Sequence, residues 1–373
     1  MVKLTGTTVE GAVSGDHILH EHPEKLVESP CYTMHPARPA DHMINAAAAP
    51  YLADKTAQTD ASAAIQRALD AIASTGGVVY LPAGNYRLNA PLTVPAGVLL
   101  LGSSPVPVRD QHPCSEGTKL FALCGADAPD PEHDTALVTL AGDNAGIAGL
   151  RILYPENGPQ GEKDDVTVHN YPYAVRGCGA GVYAMNMAIA GACYGVDFTG
   201  CDRHFIKKVT TCCYFNAFRL ADCRDGFVEG CLQNGTVLVR YQRDLYTKLF
   251  PQAPGMINEH QGFSHLMNPI TRKKTTIFRL DHADNQVIMN CFAYGVHTYL
   301  DIRNSQHVRL LNTGSDNLHE NGPYLYAEGG DITAANMMRF NGYSVENNAE
   351  HPARLTLLNR LSINEKDEPD IVM

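Results

Sequence analysis

Carboxylates dominate the residues of this chain that could do chemistry. Asp197, Asp222 and Asp301 fall at related points of a repeating pattern, with Asp202, Arg203, His204, Arg219, Asp225 and Arg303 close beside them. Cleaving a glycosidic bond needs two carboxyl groups about 5 to 9 Å apart, one protonating the leaving oxygen and the other acting as nucleophile or activating water. Asp197, Asp222 and Asp301 are therefore the candidate catalytic acids. Arg219 and His204 are candidates to orient substrate or offset charge, and Asp202, Arg203, Asp225 and Arg303 to bind it. Each also has an ordinary structural reading, as a surface ion pair, an Asx turn or, for His204, a turn cap. A later group, Asp281, Asp316, Glu320 and Glu328, follows an insertion that breaks the register, so which two acids converge is open at this stage.

His17, His20 and His22 surround Glu21 without HExxH spacing, and Asp281, His282 and Asp284 match no calcium motif, so neither a metal nor a cofactor is expected. Tyr171, Tyr173, Tyr324 and Tyr326 are candidate sugar-stacking rings, the last two also candidate core. There is no Trp, the commonest such platform.

The positioning elements show as a repeat. Successive units begin at Gly181, His204 and Gly226, steps of 23 and 22 residues, the length of one coil of a three-sheet solenoid. Residues 194–201, YGVDFTGC, align with 216–223, NAFRLADC, and more loosely with 298–305, TYLDIRNS. Side chains alternate along a strand, so Val196, Phe218 and Leu300 point inward, as do Phe198, Leu220 and Ile302, with Cys201 stacked on Cys223. Asp197, Arg219 and Asp301 then form an outward column, neighbouring coils being about 4.8 Å apart. Insertions at 155–175 and 241–275 are too long for solenoid turns and are expected to wall a cleft.

Ahead of the repeat, residues 59–104 read as a helix and then strands. Ala64, Ile65, Leu69, Ile72 and Ala73 follow helical spacing behind Asp60 as N-cap, and Gly76-Gly77 stop the helix. Short apolar runs follow at 78–81, 86–88 and 98–101. This order of helix, double glycine, LPAG, NYRL and VLLLGSS resembles the opening of the pectate-lyase-like superfamily. The resemblance implies an all-β, single-stranded, right-handed parallel β-helix whose N-terminal end the helix caps. LRILYP, YPYAVRG, GVDFTGCDRHFIKKV and FRLADCRDGFVEG look like a bacterial branch of such proteins, a pattern that carries no reaction with it. The polygalacturonase set of Asn-x-Asp, Asp pair, Gly-His-Gly and Arg-Ile-Lys is not reproduced; 312–316 echoes only its first part.

Composition agrees with one long domain at 51–373 behind an arm at 1–50, the arm covering the first coils or a neighbouring subunit. A net charge of −11 with no basic stripe argues against nucleic acid and anionic membrane as partners, while an acidic sugar would need only a local arginine cluster. The 11 cysteines read as stacked thiols rather than a disulfide framework, which favours a reducing compartment; no secretory leader is visible, so the chain is intracellular or its leader has been removed. The expectation is a glycoside hydrolase acting on a poly- or oligosaccharide, with a uronic-acid lyase or a non-catalytic glycan-binding solenoid as alternatives, and side-by-side trimers as one possible assembly.

Overall fold

The computed structural model describes residues 36–103, 117–157, 168–234, 270–316, 322–340 and 345–359, and the backbone of strands Val2–Thr5, His17–His20, Leu361–Ile363 and Ile371–Val372. It is a parallel β-helix. Each coil adds a strand to one sheet (A), turns, adds one to a second (B), and turns again into a third (C). The coil made of Asn216–Ala221, Phe227–Glu229 and Leu232–Asn234 stacks in parallel register on the next, Thr276–Asp281, Val287–Met289 and Phe292–Tyr294. Tyr183, Phe205 and Phe227 are successive partners in sheet B, the repeat read from the sequence.

Alternation along the strands fills the interior. Val196, Phe218, Phe278 and Leu300 form one buried column of sheet A, and Phe218 stacks on Phe278 with ring centroids 5.0 Å apart. Phe198, Leu220 and Ile302 are buried as expected, and Cys201 and Cys223 lie in the same core. Burial pushes the Cys201 thiol up to about 12, so these thiols stay protonated and packed.

The turns explain the backbone. Between sheets B and C the later coils bend on one left-handed residue each, Asn290, Asn312, Asn336 and Asn359, with φ from 51 to 56°. Asparagine tolerates that region, and here the side-chain amides of Asn312, Asn336 and Asn359 each donate to the asparagine on the coil before, at 3.1, 2.7 and 2.6 Å. Connections from sheet C back to sheet A vary in length. Both expected insertions sit there, between Leu153 and Tyr173 and between Asn234 and Thr276, so both emerge beside sheet A. Their residues 158–167 and 235–269 lie outside the described residues.

The helix, Ser62–Ile72, comes in chain order where a sheet A strand would stand, after the sheet C strand Thr56–Asp60 and before the sheet B strand Gly77–Leu81. Ile65, Ala68, Leu69 and Ile72 are buried in the shared core. Its N-cap is Ala61 rather than Asp60. The Asp60 carboxylate, one residue further out, accepts from the Ser62 amide and hydroxyl and from the Asn89 amide, tying the helix start to the strand beside it. In the arm, Val2–Thr5 pairs with His17–His20 and lies against Arg354–Leu358 of a late coil; the side chains of His17, His20 and His22 lie outside the described residues. No described helix is long and apolar enough to cross a membrane.

Candidate functional site: the charged face of sheet A

The outer face of sheet A carries a column of charge. Arg176, Asp197, Arg219, Arg279 and Asp301 are successive register partners, followed by Tyr326. The expected trio is therefore present, but Arg279 intervenes. Asp197 and Asp301 stand three strand spacings apart, about 14 Å, beyond the span of a catalytic acid pair.

Asp197 is buried and fully engaged. Its Oδ2 accepts from Arg176 Nε at 3.1 Å, and its Oδ1 accepts from the Thr199 amide and hydroxyl. Arg176 also donates to the backbone carbonyls of Glu132, His133 and Asp134, clamping the connection at 123–137 over the column. From that connection Glu132 reaches both Arg219 and Arg279, at 3.2 and 3.3 Å. Tyr194 and Phe215 lie alongside, half-buried, with centroids 5.6 Å apart, and Lys274 stands over the Phe215 ring. Behind 123–137 lies a cavity of about 400 Å³ lined in part by Cys124, Asp127, Asp134, Tyr154 and Tyr171.

A second cluster lies at the other end of the column. Arg303 grips Asp301 through Nε and Nη2, at 2.8 and 3.2 Å, and places Nη1 3.7 Å from Glu328 Oε2. The Asp301 carboxylate raises the pKa of the Arg303 guanidinium. The Tyr326 hydroxyl donates to Glu328, and its ring lies under the guanidinium at 4.8 Å. Glu328 stands one coil on and two residues along from Asp301, since Asp301 pairs with Tyr326. That diagonal spans about 8 Å, within the range for an acid pair. Asp281, the register partner of Arg303 on the other side, adds a third carboxylate.

The remaining sequence candidates sit elsewhere. Asp202, Arg203, Asp222 and Asp225 lie in the turn from sheet A to sheet B. Asp222 and Arg203 supply its left-handed backbone, while Asp202 holds Arg224 and Asp225 accepts from Asn285. Tyr171, Tyr173 and Tyr324 are fully buried, which leaves Tyr326 as the accessible ring of the four. Sequence reasoning did not single out Arg176, Arg279 or Glu132. The described residues contain no group of side chains arranged to hold a metal.

His204 is inside the solenoid and fully buried. Its Nδ1 donates to the Cys201 carbonyl, so the imidazole is neutral with its proton on that nitrogen, and Nε2 finds no partner among the described residues. Burial lowers its pKa from 6.5 to about 4. The unfolded chain takes up this proton near pH 6.5 but the folded chain only near 4, so stability falls as pH drops through that interval. The loss amounts to up to about 3 kcal/mol. Urea unfolding of wild type and His204→Asn at the two ends of that interval should show a shallower pH dependence in the variant; equal slopes would refute the assignment.

The comparisons with known proteins agree with the fold. The family model described as rhamnogalacturonase A/epimerase, pectate lyase-like, matches residues 48–122. Among solved structures, DFA-IIIase from Arthrobacter chlorophenolicus A6 superposes with TM-score 0.55 at 9% identity, over 88% of this chain and 86% of that one. A tailspike of Acinetobacter phage vb_AbaP_AS12 superposes with TM-score 0.53 at 12% identity, over 86% of this chain and 51% of that one. ORF18 of Geobacillus virus E2 gives 0.52 at 11%, over 86% and 60%. No curated protein matches the chain by sequence. Coil stacking and these neighbours together give the chain the parallel β-helix fold, and its opening segment is similar to the pectate-lyase-like family model.

Proposed function

We propose that the protein is a carbohydrate-active enzyme, a glycoside hydrolase whose groove runs along the outer face of sheet A. The observation that carries this reading is the convergence of Asp301 and Glu328 on one guanidinium, on adjacent coils and on the solvent side. Asp301, gripped by two bonds from Arg303, suits the role of base activating water. Glu328, at 3.7 Å from Arg303 and bonded by the Tyr326 hydroxyl, is the less firmly held carboxyl and suits the acid. Tyr194, Phe215 and Tyr326 supply ring surface along the groove. The family description matched at residues 48–122 points to the same substrate class.

The test is a panel of neutral and acidic glycans, following new reducing ends and the absorbance of unsaturated uronides together. Reducing ends without that absorbance are expected, and the diagonal spacing of the pair predicts that proton NMR shows the inverted anomer first. Unsaturated products would replace this reading with a lyase. Binding without any product would replace it with a glycan-binding solenoid.

A further inference from the structure

We propose that Arg219 and Arg279 form an oxyanion-binding site and that Glu132 is its built-in occupant, standing where a carboxylate, sulfate or phosphate of a ligand would bind. The charge order along the column is the first observation. Between Arg176 and Asp301 signs alternate except here, where two arginines are direct register neighbours, about 4.8 Å apart with no acid between them. Like charges this close repel unless an anion joins them.

The other carboxylates of the column are committed elsewhere. Asp197 is held by Arg176 and Thr199, and Asp301 by Arg303. Among the described residues, Glu132 is the only ion-pair partner of either arginine, and one oxygen, Oε2, serves both. A guanidinium offers five N–H donors in a planar fork suited to bidentate oxyanions, so single contacts at 3.2 and 3.3 Å leave most of that capacity unused. Arg279 is 46% exposed, so the site opens to solvent.

Glu132 is also free to leave. Its segment is anchored through backbone carbonyls, which accept from Arg176 whatever the Glu132 side chain does. Rotation of one side chain would therefore vacate the site without unfolding the segment. Tyr194 and Phe215 beside it offer a platform for the ring that carries the oxyanion. This inference goes beyond the hydrolytic reading and stands or falls separately from it, since it concerns binding at residues distinct from Asp301 and Glu328.

The experiment is calorimetric titration of the full chain with sodium sulfate and with sodium glucuronate, against glucose and sodium chloride at matched ionic strength. Glu132→Gln removes the internal competitor with little change of shape and should bind both oxyanions about tenfold more tightly than wild type. Glu132→Gln combined with Arg279→Gln should lose that gain, and glucose should bind neither. A gain for sulfate alone assigns the site to sulfate- or phosphate-type groups; a gain for both extends it to carboxylates. Arg279→Gln alone, at an exposed position that tolerates it, should weaken sulfate binding and gives a reading independent of the Glu132 variant. Equal affinity in wild type and Glu132→Gln, a gain that survives loss of Arg279, or no oxyanion binding at all would overturn the proposal.

Discussion

Asp301→Asn should lower kcat about a thousandfold while leaving the protein folded. The substitution keeps the shape of the side chain and removes its charge, so Arg303 keeps a polar neighbour and still faces Glu328. What disappears is an anionic oxygen able to take a proton from water, and general-base catalysis commonly contributes between a hundredfold and ten-thousandfold. Because Asp301 is partly exposed, at 15% of its side chain, the loss of one ion pair should move the thermal midpoint by only a few degrees. Activity within about threefold of wild type would remove Asp301 from the mechanism.

Phe218→Ala should destabilise the protein by about 3 to 5 kcal/mol. Phe218 is fully buried in the column between Val196 and Phe278, stacked on the latter at an interplanar angle of 15°. Backbone hydrogen bonds to the coils above and below fix its strand, so neighbours cannot close in on the void. Denaturant unfolding followed by circular dichroism measures the effect. A loss under about 1 kcal/mol would mean that this column is not packed as described.

The legible part of the sequence was the part that repeats without interruption. Residues 194–201 and 216–223 differ by one coil, so alignment alone gave the buried column, the Cys201 and Cys223 positions and the outward pair Asp197 and Arg219. Arg279 escaped because 235–275 separates its coil from the one before. Yet the signal was there: FRLD at 278–281 repeats FRLA at 218–221, and the two strands pair residue for residue. Inserting that coil moves Asp301 from two strand spacings to three from Asp197 and directs attention to Glu328.

The asparagines of the turns were equally readable in retrospect. Asn290, Asn312, Asn336 and Asn359 recur at 22, 24 and 23 residues, the period of the coils. Glu132 was not readable in that way. It lies in an irregular connection outside the repeat and meets arginines 87 and 147 residues further on, a contact that periodicity does not encode. His204 illustrates the reverse error. A histidine opening a coil in a charged turn reads as a turn cap or a substrate-orienting group, but it sits beside Gly226, where a β-carbon would collide with its ring, and the glycine makes room for it inside.

The most direct test of the central claim is a double-substitution comparison of Asp301→Asn, Glu328→Gln and the two combined, measured as reducing-end release on the best substrate of the glycan panel. Two acids serving one bond cleavage act as a unit, so the combined variant should be no slower than the slower single variant. Losses that simply multiply, or single variants that both retain near-wild-type rates, would contradict a catalytic pair at Arg303.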